Sequence, residues 1–136
     1  PNIKSNLKTE LKISALGKPD EVRPFDKGRV EVFNRGGAVI GRATFEPGWK
    51  WSTCVKPIAK TETCQSEHLG CQLSGVMHIV MDDGVEYDLK SGDFFHIPAG
   101  HDAWVVGSEK VVAVDFQGMK EYAKAKGMPD RPDRKH

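Results

Sequence analysis

The segment from residue 62 to residue 68, Glu-Thr-Cys-Gln-Ser-Glu-His, contains three side chains that are suited to binding a metal ion together. Glu62, Cys64 and His68 are separated by two and four residues, so an extended backbone places them on one face, because side chains alternate along a strand. A thiolate and an imidazole together favour zinc, or another transition metal, over magnesium or calcium. The spacing indicates a metal site. A solvated Glu62 and a buried Cys64 without a ligand role are the alternatives.

Short strands separated by turn signals are predicted to hold these side chains in place. The pattern predicts strands at residues 29–34, 38–45, 49–55, 69–81 with a break at 74–75, 85–89, 94–97, 104–106 and 111–116. Gly36-Gly37 and Asp83-Gly84 are typical of hairpin turns. Strands of this length, with turns at short intervals, predict a β-sandwich or barrel. One helix is predicted, at residues 119–126.

The length of 136 residues fits a single domain. We expect an arm at residues 1–28, a β-barrel at 29–117, and a helix with a flexible tail at 118–136. The net charge of +1 argues against nucleic acid as a partner, and no apolar run reaches the roughly 18–20 residues of a membrane helix. The sequence has three cysteines and no recognisable leader, a combination that predicts free thiols or metal ligands in a cytoplasmic setting. A Cys54–Cys64 disulfide is the alternative.

From residue 37 to residue 117 the sequence resembles the cupin family. His68 is followed by six residues and Gly75, where the first cupin motif has a carboxylate, six residues and a glycine. The second motif has a glycine, five residues, a proline, one residue and a glycine, which residues 92–100 match in full. The resemblance implies an all-β fold, the double-stranded β-helix or jelly-roll barrel, with a metal centre inside. The short C-terminal helix predicted at residues 119–126 follows this barrel.

The metal-binding positions of the motifs depart from the family pattern. The positions of the two histidines and the glutamate of the first motif hold Glu62, Cys64 and His68, in that order. Ala103 occupies the position of the last ligand histidine, and His101 lies two residues earlier on the same strand face. A subgroup of small bacterial cupins, some fused to nucleotide cyclase domains, is similar at residues 64–68 and 98–107. The resemblance implies a substituted centre with Cys64, His68, His101 and Glu62 as its ligands.

The expected cofactor is one divalent ion, zinc first, with iron, manganese or nickel as the other possibilities. Four protein ligands close the site in the structural pattern, whereas three leave a position for water and for hydrolase, lyase or isomerase chemistry. Two functions follow: a small metal-dependent enzyme acting on a small polar or carboxylated molecule, or a non-catalytic ligand-binding or sensory module. A homodimer is expected as well. We expect the three tryptophans either to line the barrel mouth or to pack in the core or in a dimer interface; they are Trp49, Trp51 and Trp104.

Overall fold

The computed structural model of the chain describes residues 11–120 and 122–123. Within these residues the fold consists of β1 (Glu21–Phe25), β2 (Gly28–Arg35), β3 (Ala38–Phe45), β4 (His68–Ser74), β5 (Val76–Met81), β6 (Glu86–Leu89), β7 (Phe94–Ile97), β8 (His101–Val106) and β9 (Val111–Asp115), with α1 (Trp51–Cys54) and α2 (Lys56–Ala59) between β3 and β4. The all-β expectation is confirmed. No helix in this part of the chain has the length and apolar character that crossing a membrane requires.

The strands form two antiparallel sheets. The larger sheet has the order β1-β2-β3-β9-β4-β7, and the smaller one has the order β6-β5-β8. The sequence neighbours β4 and β5 lie in different sheets, so the chain crosses from one sheet to the other at Gly75, where φ is +74°. Side chains that point between the sheets form one buried cluster, which includes Val30, Val32, Met77 and Val111. This crossing arrangement is the jelly-roll pattern that the motifs imply.

Several strand boundaries follow directly from the turn residues. β3 and β7 begin and end where the pattern predicts, and Gly75, within the break predicted at residues 74–75, separates β4 from β5. The β2–β3 hairpin turns at Gly36 and Gly37, whose φ angles are +57° and +86°. A two-residue hairpin of type I′ needs positive φ at both central positions, and glycine adopts it without a steric penalty.

The sheet begins inside the segment that we expected to be an arm. β1 pairs with β2 from Glu21 opposite Val32 to Phe25 opposite Gly28. Arg23, in the middle of β1, is buried, and its guanidinium donates to the carbonyl oxygens of Met119 (2.7 Å) and Tyr122 (2.9 Å). β1 therefore extends the larger sheet into the segment that we expected to form an arm. Residues 1–10 of the expected arm lie outside the described residues.

The strand predicted at residues 49–55 is wrong. Trp51–Cys54 and Lys56–Ala59 are helical turns, and Lys60 ends the second of them with a φ of +60°. Trp51, Cys54 and Val55 are buried, a spacing of three and four residues that matches a helix face. Trp49 and Trp51 are two residues apart and both buried, which resembles the alternation of a strand. Trp49, however, packs in the core before the helix begins, and Trp51 is the first residue of that helix.

The C-terminal helix predicted from Met119 does not begin there. Residues 118–120 and 122–123 form turns, and Ala123 has a φ of +57°, a left-handed conformation that does not continue a right-handed helix. Residues 121 and 124–136, including the rest of the predicted helix and the tail, lie outside the described residues. Met119 and Tyr122 are buried in the core cluster, so this segment is fixed by packing rather than by helical hydrogen bonds.

Candidate metal centre

Cys64, His68 and His101 converge inside the barrel. One potential ligand atom from each lies within 4.8 Å of the others, and all three residues are buried. The Sγ of Cys64 is 3.7 Å from Nε2 of His68, and the centroids of the two imidazole rings are 5.3 Å apart. Three of the four residues that the sequence singled out therefore form one cluster of sulfur and nitrogen donors that can hold a metal ion.

Backbone pairing brings the three residues together. Cys64 forms an isolated antiparallel bridge with His101, in which its N–H donates to the His101 carbonyl (2.8 Å). His101 is the first residue of β8, and His68 is the first residue of β4. His101 and Ala103 are both buried, because alternate residues of β8 point into the barrel. The displaced histidine therefore reaches the centre from two residues before the usual family position.

Glu62 is not part of the cluster. Its side chain is 94% exposed, and it forms an ion pair with Nζ of Lys56 at 3.1 Å. Residues 61–63 form a bend rather than a strand, so the even spacing between Glu62 and Cys64 does not place them on one face. Of the two ligand sets that the sequence left open, this geometry favours the one with three protein ligands, with Glu62 as a solvated carboxylate.

Asp115 at the end of β9 holds His68, a contact that the sequence reasoning missed. Its Oδ2 is 2.6 Å from Nδ1 of His68, and its Oδ1 accepts the backbone N–H groups of Gln117 (2.9 Å) and Gly118 (2.8 Å). A carboxylate only accepts, so Nδ1 carries the proton and Nε2 is the atom directed towards Cys64. A carboxylate partner of this kind orients metal-binding histidines and raises their basicity.

The sequence does carry a signal for Asp115. Val111, Ala113 and Asp115 are buried, and they alternate with the half-buried Val112 and Val114. A carboxylate at an inward position of an otherwise apolar strand needs a buried partner, because an unpaired buried charge is costly. The same period-two pattern that predicted the strand therefore also identifies this residue as part of a buried polar site.

His101 is oriented in the same way as His68, but by a backbone group. Its Nδ1 lies 2.8 Å from the carbonyl oxygen of Pro98, which accepts the ring N–H. Each histidine therefore uses Nδ1 for an orienting hydrogen bond and keeps Nε2 for another partner. Gly118 lies so close to His68 that a Cβ at that position would collide with the imidazole ring, which explains why the chain turns at a glycine there.

The electrostatics of the cluster favour a thiolate. Burial raises the pKa of the Cys64 thiol, but hydrogen bonds with His101 and His68 outweigh burial and lower this pKa to about 6. Burial lowers the pKa of His68, but its hydrogen bonds with Asp115 and Cys64 raise it to about 9. Burial raises the pKa of Asp115, and hydrogen bonding to His68 brings it below its ordinary value. At neutral pH the sulfur is therefore already in the form that binds metals.

A cavity of about 70 Å³ lies beside the two histidines. Its wall is mostly apolar, and neither lysine nor arginine is among the described residues that line it. The amide nitrogen of Gln72, which also lines it, donates to the carbonyls of Gly75 (2.8 Å) and Leu89 (2.9 Å). The ring of Tyr122 packs edge-on against His68 at 5.5 Å, and burial raises the pKa of its phenol well above the ordinary value. The histidine pair therefore borders a small, weakly polar space.

Replacing Asp115 by asparagine is expected to weaken zinc binding about 10- to 100-fold, because the amide supports the Nδ1–H of His68 less well. The measurement is a competition titration against a chromophoric chelator at about pH 9.5, where the proton on His68 no longer competes. Asp88→Asn is the matched control, because Asp88 pairs in the same way with Nδ1 of the half-buried His78 (2.6 Å), which lies outside the cluster. An Asp115→Asn protein with wild-type affinity at this pH would contradict the assigned role.

Comparison with known proteins identifies the class of fold. No protein-family model and no curated protein sequence matches the chain. A search of solved structures finds an RmlC-like cupin from Shewanella frigidimarina, with a TM-score of 0.56, 14% identity and coverage of 82% of this chain and 96% of that one. Oxalate decarboxylase from Lactobacillus farciminis has a TM-score of 0.52 and 18% identity, covering 72% of this chain and 31% of its own.

The 11S allergen of Cocos nucifera has a TM-score of 0.52 and 16% identity, covering 79% of this chain and 34% of its own. The present chain therefore spans about a third of the length of the decarboxylase and of the allergen. These likenesses define the architecture. The protein has the cupin fold, as the resemblance of its two motifs implied.

Proposed function

We propose that the protein is a metal-dependent cupin in which Cys64, His68 and His101 hold one zinc ion and a small molecule binds beside that ion. The observation that carries the proposal is the buried cluster of one sulfur and two imidazole donors next to an internal cavity. A thiolate with two imidazoles is a donor set for zinc, whereas manganese prefers oxygen ligands. Iron and nickel are the alternatives that metal analysis distinguishes.

Three protein ligands leave a zinc ion with an open position, which is the pattern of catalytic rather than structural zinc sites. A zinc ion bound there supplies a Lewis acid and lowers the pKa of a coordinated water. The residues of the chain do the rest: Asp115 and the Pro98 carbonyl orient the two histidines, and the apolar wall excludes bulk water. This arrangement supports hydrolase, lyase or isomerase chemistry on a small molecule.

A non-catalytic ligand-binding or sensory module is the second candidate, and one observation favours it. Asp115 is the only carboxylate among the described residues that line the cavity, and both of its oxygens already accept hydrogen bonds. No other described side chain is placed there as a general base. The fold does not decide between the two functions, since one neighbour is named a decarboxylase and another an allergen.

Metal loading of the purified protein tests the proposal. We expect one equivalent of zinc by elemental analysis, and replacement by cobalt(II) should give thiolate-to-cobalt charge transfer together with the visible bands of four-coordinate cobalt. Glu62→Gln is the matched control and should leave stoichiometry and affinity unchanged, because that side chain is exposed. A protein that binds no transition metal, either after chelator-free purification or on incubation with zinc, would refute the proposal.

The loaded protein also separates the two candidate functions. Conversion of an added small molecule that is lost in the metal-free protein would identify an enzyme. Binding without conversion over long incubation would identify a ligand-binding module.

We further propose a homodimer and a cytoplasmic setting, on separate grounds. Leu69, Phe94 and Phe116 are 46%, 82% and 52% exposed and border one surface depression. A second copy of the chain would remove this apolar surface from water, and protein–protein contacts are one of the roles of exposed apolar patches. The three cysteines are all free, as expected, which supports a reducing compartment.

A further inference from the structure

We infer that the ligand of this centre has an apolar body of roughly ten to fifteen non-hydrogen atoms, which lies between the edge strands β6 and β7, and a small metal-binding head. The inference rests on the proposed metal function and names the chemical class of the molecule that binds there. It follows from an open space between the two sheets, from the side chains around that space, and from its continuity with the metal centre.

The barrel is open between β6 and β7. Each is an edge strand, β6 of the smaller sheet and β7 of the larger one, and backbone pairing does not join them. Side chains of both strands line a pocket of about 400 Å³. Pockets for organic ligands have volumes of roughly 300–1,000 Å³. The opening is therefore large enough to hold a small organic molecule.

An inward-facing aromatic side chain is exposed at this opening. Tyr87 pairs with Ile79 across β5 and β6, so the two side chains lie on the same face of the smaller sheet. Ile79 belongs to the core cluster and is 7% exposed, whereas Tyr87 is 60% exposed. The described part of the chain therefore leaves an inward-facing ring largely in water. Exposed apolar surface of this kind, next to a pocket, is typical of a ligand-binding groove.

The wall that β7 contributes is apolar as well. Ile97 pairs with His68, whose side chain points into the barrel, so Ile97 and, two residues earlier, Phe95 also point inward. Both side chains are half-buried, and both line the pocket. A molecule between the two strands therefore gains stability by removing hydrocarbon surface from water.

The polar side chains at the pocket already have partners. Three of the described lining residues are charged or titratable in the neutral range, and each forms a hydrogen bond elsewhere: Glu86 with His78 (2.6 Å), Asp93 with the backbone N–H of Lys90 (2.9 Å), and His96 with Glu67 (2.5 Å). Neither lysine nor arginine is among the described residues that line the pocket. The pocket therefore offers its occupant mainly apolar contacts, and the body of the ligand is apolar.

The pocket adjoins the cavity beside the metal centre. Four side chains line both spaces: Ile79, Leu89, Phe95 and Ile97. The inner cavity, of about 70 Å³, is the one that His68 and His101 border. An apolar cavity of about 150 Å³ in another protein accommodates the six carbons of benzene, so the inner cavity holds roughly three atoms and the outer pocket roughly fifteen. The part of the ligand that reaches the metal is therefore small, and its bulk lies between β6 and β7.

The test titrates cobalt(II)-loaded protein with n-alkyl hydroxamates, from acetohydroxamate to hexanohydroxamate, whose two oxygens bind zinc and cobalt. The visible cobalt bands report binding. Each added methylene should raise the affinity about threefold to fourfold, because it leaves water for the apolar pocket, so the whole series should span about a hundredfold. A total change below tenfold, or no response to any member of the series while cobalt remains bound, would overturn the inference.

A second measurement, without metal, separates this inference from the proposed metal function. In the metal-free protein 1-hexanol should shift the methyl NMR signals of Ile79 and Ile97, which line the pocket, and not that of Ile58, which does not line it. Signals that ignore 1-hexanol would overturn the inference, and a change on dilution of the protein would then assign the pocket to a second copy of the chain. A protein that binds 1-hexanol but no cobalt would overturn the proposed metal function and leave the apolar pocket in place.

A substitution that fills the outer pocket tests the position of the apolar body. Val85 lines this pocket but not the inner cavity, and it is 60% exposed, so the indole of Val85→Trp has room. Affinity for hexanohydroxamate should fall at least tenfold, whereas affinities for acetohydroxamate and cobalt should change less than twofold. Val106→Trp is the matched control, because Val106 is 41% exposed on the outer face of the same sheet and does not line the pocket. An unchanged dependence on chain length in a folded Val85→Trp protein would contradict this position, and the wild-type series needs no variant.

Discussion

Replacing Cys64 by alanine is expected to abolish tight zinc binding, together with the stabilisation that zinc gives the barrel. Cys64 is 2% exposed and supplies the only anionic ligand of the cluster. Loss of one ligand from a zinc site that binds with about 10–16 kcal/mol should lower the affinity by at least about a hundredfold. His68→Ala should have a similar effect, because it removes a ligand and leaves Asp115 buried without its partner.

The thermal stability of the protein with and without zinc measures this loss. Free zinc at 100 times its Kd raises the free energy of unfolding of the wild-type protein by about 2.7 kcal/mol, if zinc binds only the folded state. For a domain of this size the melting temperature then rises by roughly 10 °C. At that zinc concentration a hundredfold loss of affinity leaves about 0.4 kcal/mol of stabilisation, so Cys64→Ala and His68→Ala should show a shift of at most about 2 °C. Their metal-free forms should still melt cooperatively.

Cys71→Ala is the matched control for this experiment. Cys71 is also a free cysteine, but it is only half-buried and lies outside the cluster. It should retain the full zinc-induced shift. The same shift in Cys64→Ala as in the wild-type protein would contradict the assignment of Cys64 as a ligand.

Local sequence patterns were sufficient to predict most of the strands of the barrel. Alternating apolar residues and the hairpin at Gly36-Gly37 are determined within a few residues of chain, and the structure places β2 and β3 accordingly. The three clustered donors were also accessible, because Cys64 and His68 occupy motif positions and His101 shares a strand face with the usual one. What a motif fixes is the order of residues along the chain and the side of the strand on which each lies.

The failures lie where distant residues decide the local structure. Strand β1 was not predicted, because the charged Arg23 at its centre does not fit the alternating apolar pattern of a buried strand. Its guanidinium is buried because the carbonyls of Met119 and Tyr122, 96 and 99 residues away, accept its hydrogen bonds. The sequence could not decide between a ligand and a solvated role for Glu62, because the first requires an extended segment and the backbone bends there. Neither feature is encoded in the neighbouring sequence.

Zinc affinity is expected to rise about tenfold per pH unit between pH 6 and pH 9. Below its pKa of about 9, His68 holds a proton that zinc must displace, whereas above about pH 6 Cys64 is already a thiolate. One proton is therefore released per zinc in this range, whichever member of the hydrogen-bonded pair carries it. Acid weakens binding, and below pH 6 the dependence should steepen, because the thiol must then lose a proton as well.

Competition titrations across this range, together with calorimetry in buffers of different ionisation enthalpy, count the released protons. An affinity that does not change between pH 7 and pH 9 would show that the pair holds no proton there. Zinc affinity stops rising with pH once His68 has lost its proton. In Asp115→Asn this plateau should begin at lower pH, because the carboxylate that raises the pKa of His68 is gone. The variant's tenfold or greater deficit at about pH 9.5 should therefore narrow towards pH 7. The hydrogen bond from Asp115 thus has two effects: it orients His68 for the metal, and, by raising the pKa of His68, it strengthens the competition between the proton and the metal for this histidine.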